Sequence, residues 1–382
     1  MTIHSKTVSS DAMFPLAEYQ DRIEKTRRKM AELNADVLLI DCVEHMVYLF
    51  GYAPPAAIYQ VVLLPLQGDP VGIVRALDAS MFAEQSWVSD VVHFADHQDP
   101  IALLSQEVKR RGWSRANIAV ELDSHFLPAK RFMQIQSALP EVNFVDFSRV
   151  IWELRLIKSE REIAMMREVS RIADAGMMAA IEVAAEGVSE RRCAAALYAT
   201  VIEQGADSMR SALISAGARS DSLHGRLGNH ILQPGDVLHV ESIPLYRGYG
   251  ARLMRSSVVG EPPADLSRAA EIMLCAQEEQ YAAMRPGAKA SDVDHILRGR
   301  ILDAGLRTTY ENFTGYTLGF IGLPKTSDFT RAFLASSDWL LEEGMVFHMY
   351  TYAAGIAFSD TILVTQSGSE RLTKTERKLF VR

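Results

Sequence analysis

Along the first 148 residues of the chain, apolar positions recur in some segments at the spacing of a helix and in others as the short runs of a strand. Residues 16–34 place apolar side chains at helical spacing, and residues 36–42 contain the short apolar run VLLI, which predicts a buried strand. The pattern then predicts strands at 47–52, 58–66 and 70–77, a helix at 100–113, a strand at 117–123, a helix at 128–140 and a strand at 142–148. Strands mixed with helices in this order are typical of an α/β domain.

The pattern changes at residue 151. Residues 151–184 are long, amphipathic and helical in spacing, and residues 290–305 predict a further helix. Two pairs of alternating strands follow the hairpin pattern, at 237–243 with 249–260 and at 345–352 with 355–365. Such alternation places one strand face in a core and the other in a cleft. We therefore predict an α/β domain over residues 1–150 and an α+β domain over residues 151–382.

The composition of the chain limits which kinds of partner the protein is expected to bind. The chain has 382 residues, which is long for one hydrophobic core, and its net charge of −8 offers no basic surface for nucleic acid or an anionic membrane. No apolar run reaches membrane-spanning length, and the polar N-terminus, which we expect to be disordered to about Pro15, lacks a signal pattern. Cys42, Cys193 and Cys275 are far apart, as expected of reduced, buried thiols rather than disulfides or a zinc site. These features predict a cytoplasmic protein.

Six segments, taken in order, resemble one superfamily. They are LRLIKSEREIAMMREV, SAGARSDSLHG followed by LQPGD, HVESIPLYRGYGARLMR, TGYTLG, LLEEGMVFHMY and IAFSDTILVT. Together they resemble the methionine aminopeptidase/prolidase/creatinase superfamily, peptidase family M24. The resemblance implies a creatinase-like N-terminal domain, a C-terminal catalytic domain of pita-bread fold, a cleft histidine at His224, and a homodimer.

In that superfamily five side chains hold two metal ions, and most of them are replaced here. The matching positions carry Glu241, Arg252, Tyr316, Tyr350 and Ser359. Unit charges ~4 Å apart at an effective dielectric of ~20 interact by about 4 kcal/mol, so a divalent ion beside an arginine meets roughly twice that repulsion. Tyrosine is a poor ligand at neutral pH, since the phenol pKa is about 10. We therefore predict a site without metal or other cofactor.

Creatinase and ectoine hydrolase are the branches of the superfamily that work without metal, and the chain is similar to both. The ESIPLYRGY run and His224 look like creatinase, whereas Gly315-Tyr316-x-x-Gly319 and Phe347-His348 look like ectoine hydrolase. Residues 51–60 contain no counterpart of the phenylalanine and arginine with which creatinase holds its substrate. Creatine is therefore disfavoured as the substrate, and ectoine is a candidate.

Two side chains are candidates for catalysis. Glu241 lies among apolar neighbours, where lost hydration raises a carboxyl pKa towards the range of a useful base or nucleophile. The alternative for Glu241 is a structural salt bridge to Arg252. His224 follows a Gly/Ser-rich loop and can shuttle protons near neutral pH, or it is an ordinary solvent-exposed histidine.

Other side chains are candidates for holding a substrate. Arg252 and Arg255 are three apart on a strand, so they face opposite sides, and Arg252 is the one expected to bind a substrate carboxylate. Tyr316 and Tyr350 can donate hydroxyl hydrogen bonds, or they are core aromatics. Weaker or adjoining candidates are Ser359, His348, His239, Arg75 and Arg331. Asp360, next to Ser359, is expected to point to the opposite face of its strand.

The favoured hypothesis is a metal-independent hydrolase that cleaves a C–N bond in a small polar substrate, such as an ectoine-like cyclic amidine or a guanidino acid. Two alternatives stay open. One is a metallopeptidase of the Xaa-Pro dipeptidase type with unusual ligands. The other is a lyase or a non-catalytic binding protein on the same fold.

Overall fold

The chain forms two compact units, Met1–Leu154 and Arg155–Arg382. The computed structural model describes residues 12–55, 58–209, 213–322 and 329–382. The disorder expected at the N-terminus falls largely outside the described residues. None of the described helices is both long and apolar enough to cross a membrane.

The N-terminal unit is an α/β domain around a six-stranded mixed sheet, as the sequence predicts. Its helices are α1 (Leu16–Glu32), α2 (Val43–Phe50), α3 (Ala79–Gln85), α4 (Pro100–Arg110), α5 (Ala129–Ala138) and α6 (Val150–Leu154). Its strands are β1 (Val37–Ile40), β2 (Val61–Pro65), β3 (Val71–Arg75), β4 (Asp90–Phe94), β5 (Asn117–Val120) and β6 (Asn143–Asp146), in the order β4-β3-β2-β1-β5-β6. β1 lies in the middle and is fully buried, which is why its residues, Val37–Ile40, are apolar throughout.

One predicted strand of this unit is wrong. Within residues 47–52, residues 47–50 belong to helix α2, and Gly51, which ends the helix, adopts the left-handed conformation with φ 78°. Seven of the eight α2 residues are buried, so the helix has no solvent-facing side, and its short apolar stretch cannot be told from a buried strand by pattern alone. Helix α3 and strand β4 were not predicted either.

The C-terminal unit combines a curled, mostly antiparallel sheet with four long helices. The helices are α7 (Glu160–Glu182), α8 (Glu190–Glu203), α9 (Ala264–Ala283) and α10 (Ala290–Asp303). The nine-stranded sheet contains β8 (Leu213–Ala216), β9 (Val237–Ser242), β12 (Leu253–Val258), β13 (Gly315–Thr317), β14 (Ala332–Phe333), β15 (Val346–Ala353), β16 (Ile356–Thr365), β17 (Gly368–Arg371) and β18 (Phe380–Val381). A three-stranded sheet contains β7 (Ser208–Met209), β10 (Pro244–Tyr246) and β11 (Tyr249–Gly250).

The single helix predicted over residues 151–184 is in fact two helices. α6 ends at Leu154, and α7 begins after Ser159, whose side chain caps the helix. The Ser159 Oγ accepts from the Glu162 backbone N–H while the Glu162 carboxylate accepts from that of Ser159. This capping box fixes a new helix start inside an otherwise helical sequence pattern.

The close packing of α7 on α8 depends on one small residue. A Cβ added at Gly176 would lie 2.8 Å from Leu197 Cδ1, nearer than real Cβ contacts, and closer still to Val201. The two helices therefore approach each other over a glycine, and together with β9 and β12 they build an apolar core of the unit.

Strand register sorts the side chains of the large sheet onto two faces. Met254 of β12 lies opposite both Glu241 of β9 and Ser359 of β16, and Ser359 lies opposite Tyr350 of β15. His348 in turn lies opposite Tyr316. Because successive side chains alternate, these polar residues share one face, and the apolar residues between them face the helices.

The helix-facing side holds a separate buried ion pair. Arg255 and Asp360 are both fully buried, with Nη2 2.9 Å from Oδ1, and Thr373 Oγ1 donates to the same carboxylate oxygen over 2.9 Å. Arg255 also donates to four backbone carbonyls. The N–H groups of Arg255 are thus all used in hydrogen bonds within the protein. Asp360 points away from the face that bears Ser359, as expected.

The three cysteines are free thiols. Cys42 and Cys193 are buried as expected, but Cys275 is exposed, because it lies on the solvent side of α9. The expectation of three buried thiols is wrong for that residue.

Candidate functional site

A cavity of about 590 Å³ opens on the polar face of the large sheet. Its aromatic wall consists of Phe313, Tyr316, Phe329, Tyr350 and Tyr352, and its polar lining of Asp221, Ser222, His224, Arg252 and Asn312. A cavity with mainly apolar walls and a few converging polar groups is typical of a small-molecule site.

The floor of the cavity contains a buried ion pair between Arg252 and Glu241. The Arg252 Nε donates to Glu241 Oε1 over 2.7 Å, and Nη2 makes a second, shorter contact with the same oxygen. Arg252 lines the cavity, whereas Glu241 is fully buried and does not. The guanidinium therefore lies between the carboxylate and the cavity.

Burial and the ion pair act on Glu241 in opposite directions. Removal from water raises the pKa of the carboxyl above its ordinary value, and Arg252 offsets part of that increase. The two alternatives predicted for Glu241, a salt bridge to Arg252 and a carboxyl with a raised pKa, therefore both apply to it. Only one of its oxygens is engaged, since Oε2 has no hydrogen-bond partner among the described residues.

A hydrogen-bond chain extends from Arg252 to Tyr316 and His348. Arg252 Nη1 donates to the Tyr316 hydroxyl in a short contact, and that oxygen lies 2.8 Å from His348 Nδ1. Burial and the charge of Arg252 hold the pKa of His348 well below its usual range, so the imidazole is neutral. Burial also raises the pKa of Tyr316, which keeps the phenol protonated.

Tyr350 is held by a second chain, through Asn312 and Arg307. Arg307 Nη1 donates to Asn312 Oδ1 over 2.9 Å, so the amide nitrogen must face the other way. Asn312 Nδ2 then donates to the Phe313 carbonyl over 2.9 Å and to the Tyr350 hydroxyl over 3.1 Å. Since the Tyr350 oxygen accepts and burial raises the pKa of this phenol to about 12, its proton stays in place and is available to the cavity.

His224 also lines the cavity, and it lies on the loop that follows β8. It is exposed, and no hydrogen bond to another described residue fixes its ring. Its charge would act on both Glu241 and His239. The loop thus brings an imidazole to the lining of the cavity whose floor holds the buried carboxylate.

Several buried polar atoms on the same sheet face lack protein partners. Among the described residues, no hydrogen bond engages Glu241 Oε2, Ser359 Oγ, His348 Nε2 or either ring nitrogen of His239. Buried polar atoms are rarely left unsatisfied, and an ordered water or a ligand is the usual partner. The floor of the cavity therefore has unused capacity for hydrogen bonds.

His239 should make the fold sensitive to acid. Burial lowers its pKa from 6.5 to about 4, so between these values the unfolded chain binds a proton that the folded chain does not. Stability should then decrease as pH falls from 6.5 towards 4, by on the order of 2–3 kcal/mol. Urea unfolding at pH 7 and pH 4.5 would measure this, and His239→Gln should flatten the dependence. An unchanged pH dependence in the variant would contradict this assignment.

The floor does not suit the two metal ions that the superfamily resemblance implies. One ligand position holds a guanidinium paired to the remaining carboxylate, and two hold phenols whose pKa values are raised, so they do not become anionic. Within the described part of the chain, three or more His, Cys, Asp or Glu side chains cluster at metal-binding distance only at Cys42, His45 and Glu121, in the other unit.

The predicted site residues fall into two groups. His224, Arg252, Tyr316 and Tyr350 line the cavity, whereas Glu241, His348 and Ser359 lie in the floor beneath it. His239 also belongs to the floor.

The two weaker arginine candidates lie elsewhere. Arg75 forms a two-pronged ion pair with Asp96, with both contacts at 2.6 Å, at the surface of the N-terminal unit. Arg331 lines a separate surface groove beside Trp339. Neither residue contributes to the cavity.

Sequence reasoning missed the residues that support Tyr350. Asn312, Arg307 and Phe313 occupy the segment before the TGYTLG motif, and that segment carries no motif of its own. Proximity to Tyr316 in sequence was the one available signal for Phe313, whose ring lies 5.6 Å from that of Tyr316.

Comparisons with known proteins agree with this architecture. Residues 164–366 match the model of metallopeptidase family M24, and residues 22–157 match that of the creatinase/prolidase N-terminal domain. The chain is 28% identical to an ectoine hydrolase of Halomonas elongata over 394 residues, covering 97% of this chain and 98% of that protein.

Peptidases are similar to the chain as well. An Xaa-Pro dipeptidase of Pyrococcus horikoshii is 32% identical over 295 residues, covering 69% of this chain and 81% of that protein. The crystal structure of a prolidase from P. horikoshii OT3 superimposes with a TM-score of 0.82 at 27% identity, covering 94% of this chain and 99% of the other. These matches confirm the predicted fold, a creatinase-like domain followed by a pita-bread domain.

Proposed function

Since this chain belongs to metallopeptidase family M24, a family of hydrolases, we propose that it hydrolyses a C–N bond in a small polar molecule without a metal ion. The proposal rests on one observation. The position where a ligand would bind a cation holds Arg252, and its guanidinium is paired to the single remaining carboxylate, that of Glu241.

Glu241 is the base or the nucleophile in this scheme. Its Oε2 has no partner among the described residues and its pKa is raised, so it can accept a proton from a water molecule that enters the floor. Attack by the carboxylate itself on the electrophilic carbon is the other route, with an acyl-type intermediate that water then hydrolyses. Because Glu241 lies beneath Arg252, the route through water requires less rearrangement.

His224 completes the proton balance. Water adds its hydroxyl to the carbon of the C–N bond, Glu241 takes the water proton, and His224 gives a proton to the departing nitrogen. His224 lines the cavity from an exposed loop, which suits a group that exchanges protons with solvent. Arg252, Tyr316 and Tyr350 hold the substrate, with His348 and Ser359 as supporting donors or acceptors in the floor.

The similarity to Xaa-Pro dipeptidases, at 32% identity for the P. horikoshii enzyme, favours peptide hydrolysis as a second candidate. A peptidase that works as the metal-dependent members of the superfamily do would need metal at the position of Arg252. The metal-free hydrolase is therefore the better supported of the two.

Substrate trials distinguish these functions. Freshly purified protein would be incubated with ectoine, guanidino acids, creatine and Xaa-Pro dipeptides, each with and without a chelator. We expect turnover of a non-peptide amidine or guanidine substrate that a chelator does not change. Turnover of dipeptides that requires added metal would support the peptidase. Ligand binding without any product, in wild type and Glu241→Gln alike, would leave a binding protein.

A further inference from the structure

We propose that His239 passes a proton from Glu241 to His224 after each reaction cycle and so returns the site to its starting state. This inference deepens the proposed function and rests on it for the roles of Glu241 and His224. It follows from the proton balance of that reaction, from the position of His239 beside both groups, and from the hydrogen-bonding capacity of its ring.

Each turnover leaves Glu241 and His224 in the wrong protonation states for the next one. Glu241 ends with the proton that it took from water, and His224 ends without the proton that it gave to the leaving nitrogen. One proton moved from Glu241 to His224 restores both groups and needs no other reactant. His224 is exposed, whereas Glu241 is fully buried and Arg252 lies between it and the cavity. The proton on Glu241 therefore needs a path through the protein.

His239 lies next to Glu241 on the same face of β9. The two residues are two apart on the strand, so their side chains leave it about 7 Å apart in the same direction. Hydrogen bonds to water are about 2.8 Å long, so one or two ordered waters span such a gap. The Glu241 Oε2, which has no partner among the described residues, is the oxygen that can hold the proton at the start of this path.

Strand β8 connects His239 with the loop that carries His224. Ser215 lies directly opposite His239 in the register of β8 and β9. The Ser215 Oγ donates to the Ser222 carbonyl over 3.3 Å, and a Cβ added at Gly225 would lie 3.3 Å from the Ser215 Cβ. Residues on both sides of His224 in the chain therefore contact the serine that is paired with His239. A charge on His224 accordingly acts on His239.

The His239 ring has the capacity that a proton relay requires. Both of its nitrogens are buried, and neither has a hydrogen-bond partner in the part of the chain that the structure describes. A neutral imidazole offers one donor and one acceptor, and ordered water is the usual partner of such buried groups. Burial lowers the pKa of His239 to about 4, so the ring stays neutral. It takes a proton on one nitrogen while it releases the proton of the other, and a half-turn of the ring then restores the starting tautomer.

Pre-steady-state kinetics of the full-length His239→Gln variant test this role. Glutamine has a similar size and can bind the same waters, but it cannot pass a proton on. Ectoine, or the trial compound that turns over instead, would be mixed with the protein, and product would be measured after rapid quenching. We expect a first turnover within about threefold of the wild-type rate and later turnovers that are at least about tenfold slower, so that product appears as a burst.

The His239→Ala variant tests the chemistry of the ring directly, because it leaves space for an added molecule. Imidazole should restore the later turnovers of this variant. Pyrrole has the same shape but no accepting nitrogen, so it should not restore them. His295→Gln, which replaces an exposed histidine on α10, is the matched control and should leave the first and later turnovers unchanged.

Two results would overturn the inference. Equal steady-state rates in wild type and His239→Gln would show that Glu241 loses its proton by another route. An equal decrease in the first and later turnovers, without rescue by imidazole, would show that His239 only supports the structure. Both results differ from failure of the proposed function, which is absence of turnover by the wild-type protein and would remove this inference with it.

Discussion

Glu241→Gln should reduce kcat by about 10²–10⁴-fold while the protein stays folded. Glutamine has the same shape and its Oε1 can still accept from Arg252, so the cavity floor should keep its geometry. The amide can neither take a proton from water nor attack carbon. Steady-state kinetics on the substrate found in the trials would measure the loss, with circular dichroism to verify the fold.

The pH profile of the wild type gives a second readout for Glu241. The base must be ionised to work, and burial raises its pKa above the ordinary glutamate value. Activity should therefore fall as pH decreases through an acid limb that lies above that ordinary value. Glu261→Gln, which changes an exposed loop carboxylate, is the matched control and should leave kcat unchanged. Comparable activity in Glu241→Gln and wild type would exclude Glu241 from the chemistry.

Arg252→Met should destabilise the C-terminal unit by about 3–5 kcal/mol, because it leaves a buried carboxylate without its counter-charge. For a unit of this size the loss corresponds to a decrease in Tm of roughly 6–20 °C. The destabilisation should shrink at acid pH, where Glu241 can take up a proton instead. Thermal unfolding at pH 7 and pH 5 would measure both effects.

The double variant Glu241→Gln/Arg252→Met is the control for that experiment. It leaves neither charge in the floor, so most of the lost stability should return. If the single variant Arg252→Met is as stable as wild type at pH 7, the two side chains are not a coupled buried pair.

Much of the fold could be predicted because its strands follow simple alternation. The hairpin of β15 and β16 places Tyr350 and Ser359 directly opposite each other, and a period of two is sufficient to separate Ser359 from Asp360. The errors occurred where this period was absent. Helix α2 is buried on all sides, so its apolar run resembled a strand, and the capping box at Ser159 interrupted a continuous helical pattern.

The sequence was enough to select the candidate residues, but not to show which of them line the cavity and which lie beneath it. Strand positions and the family resemblance were enough to select Glu241, Arg252, Tyr316 and Tyr350. Neither could indicate that the Arg252 guanidinium lies between Glu241 and the cavity, because that depends on the path of one long side chain.

The residues that hold the Tyr350 hydroxyl could not be predicted from the sequence, for the same physical reason. Arg307 and Asn312 lie about forty residues before Tyr350 in the chain; Asn312 meets Tyr350 through its side chain, and Arg307 acts on it through Asn312. Periodicity and spacing carry information on backbone position, and contacts of this kind depend on rotamers.

Metal analysis of active protein tests the central claim most directly. Freshly purified protein with measured turnover would be analysed for Mn, Fe, Co and Zn, and assayed again after exhaustive chelation. We expect less than stoichiometric metal and unchanged activity, since a guanidinium occupies the position of an anionic ligand. Stoichiometric metal, together with activity that chelation removes and metal restores, would contradict the account.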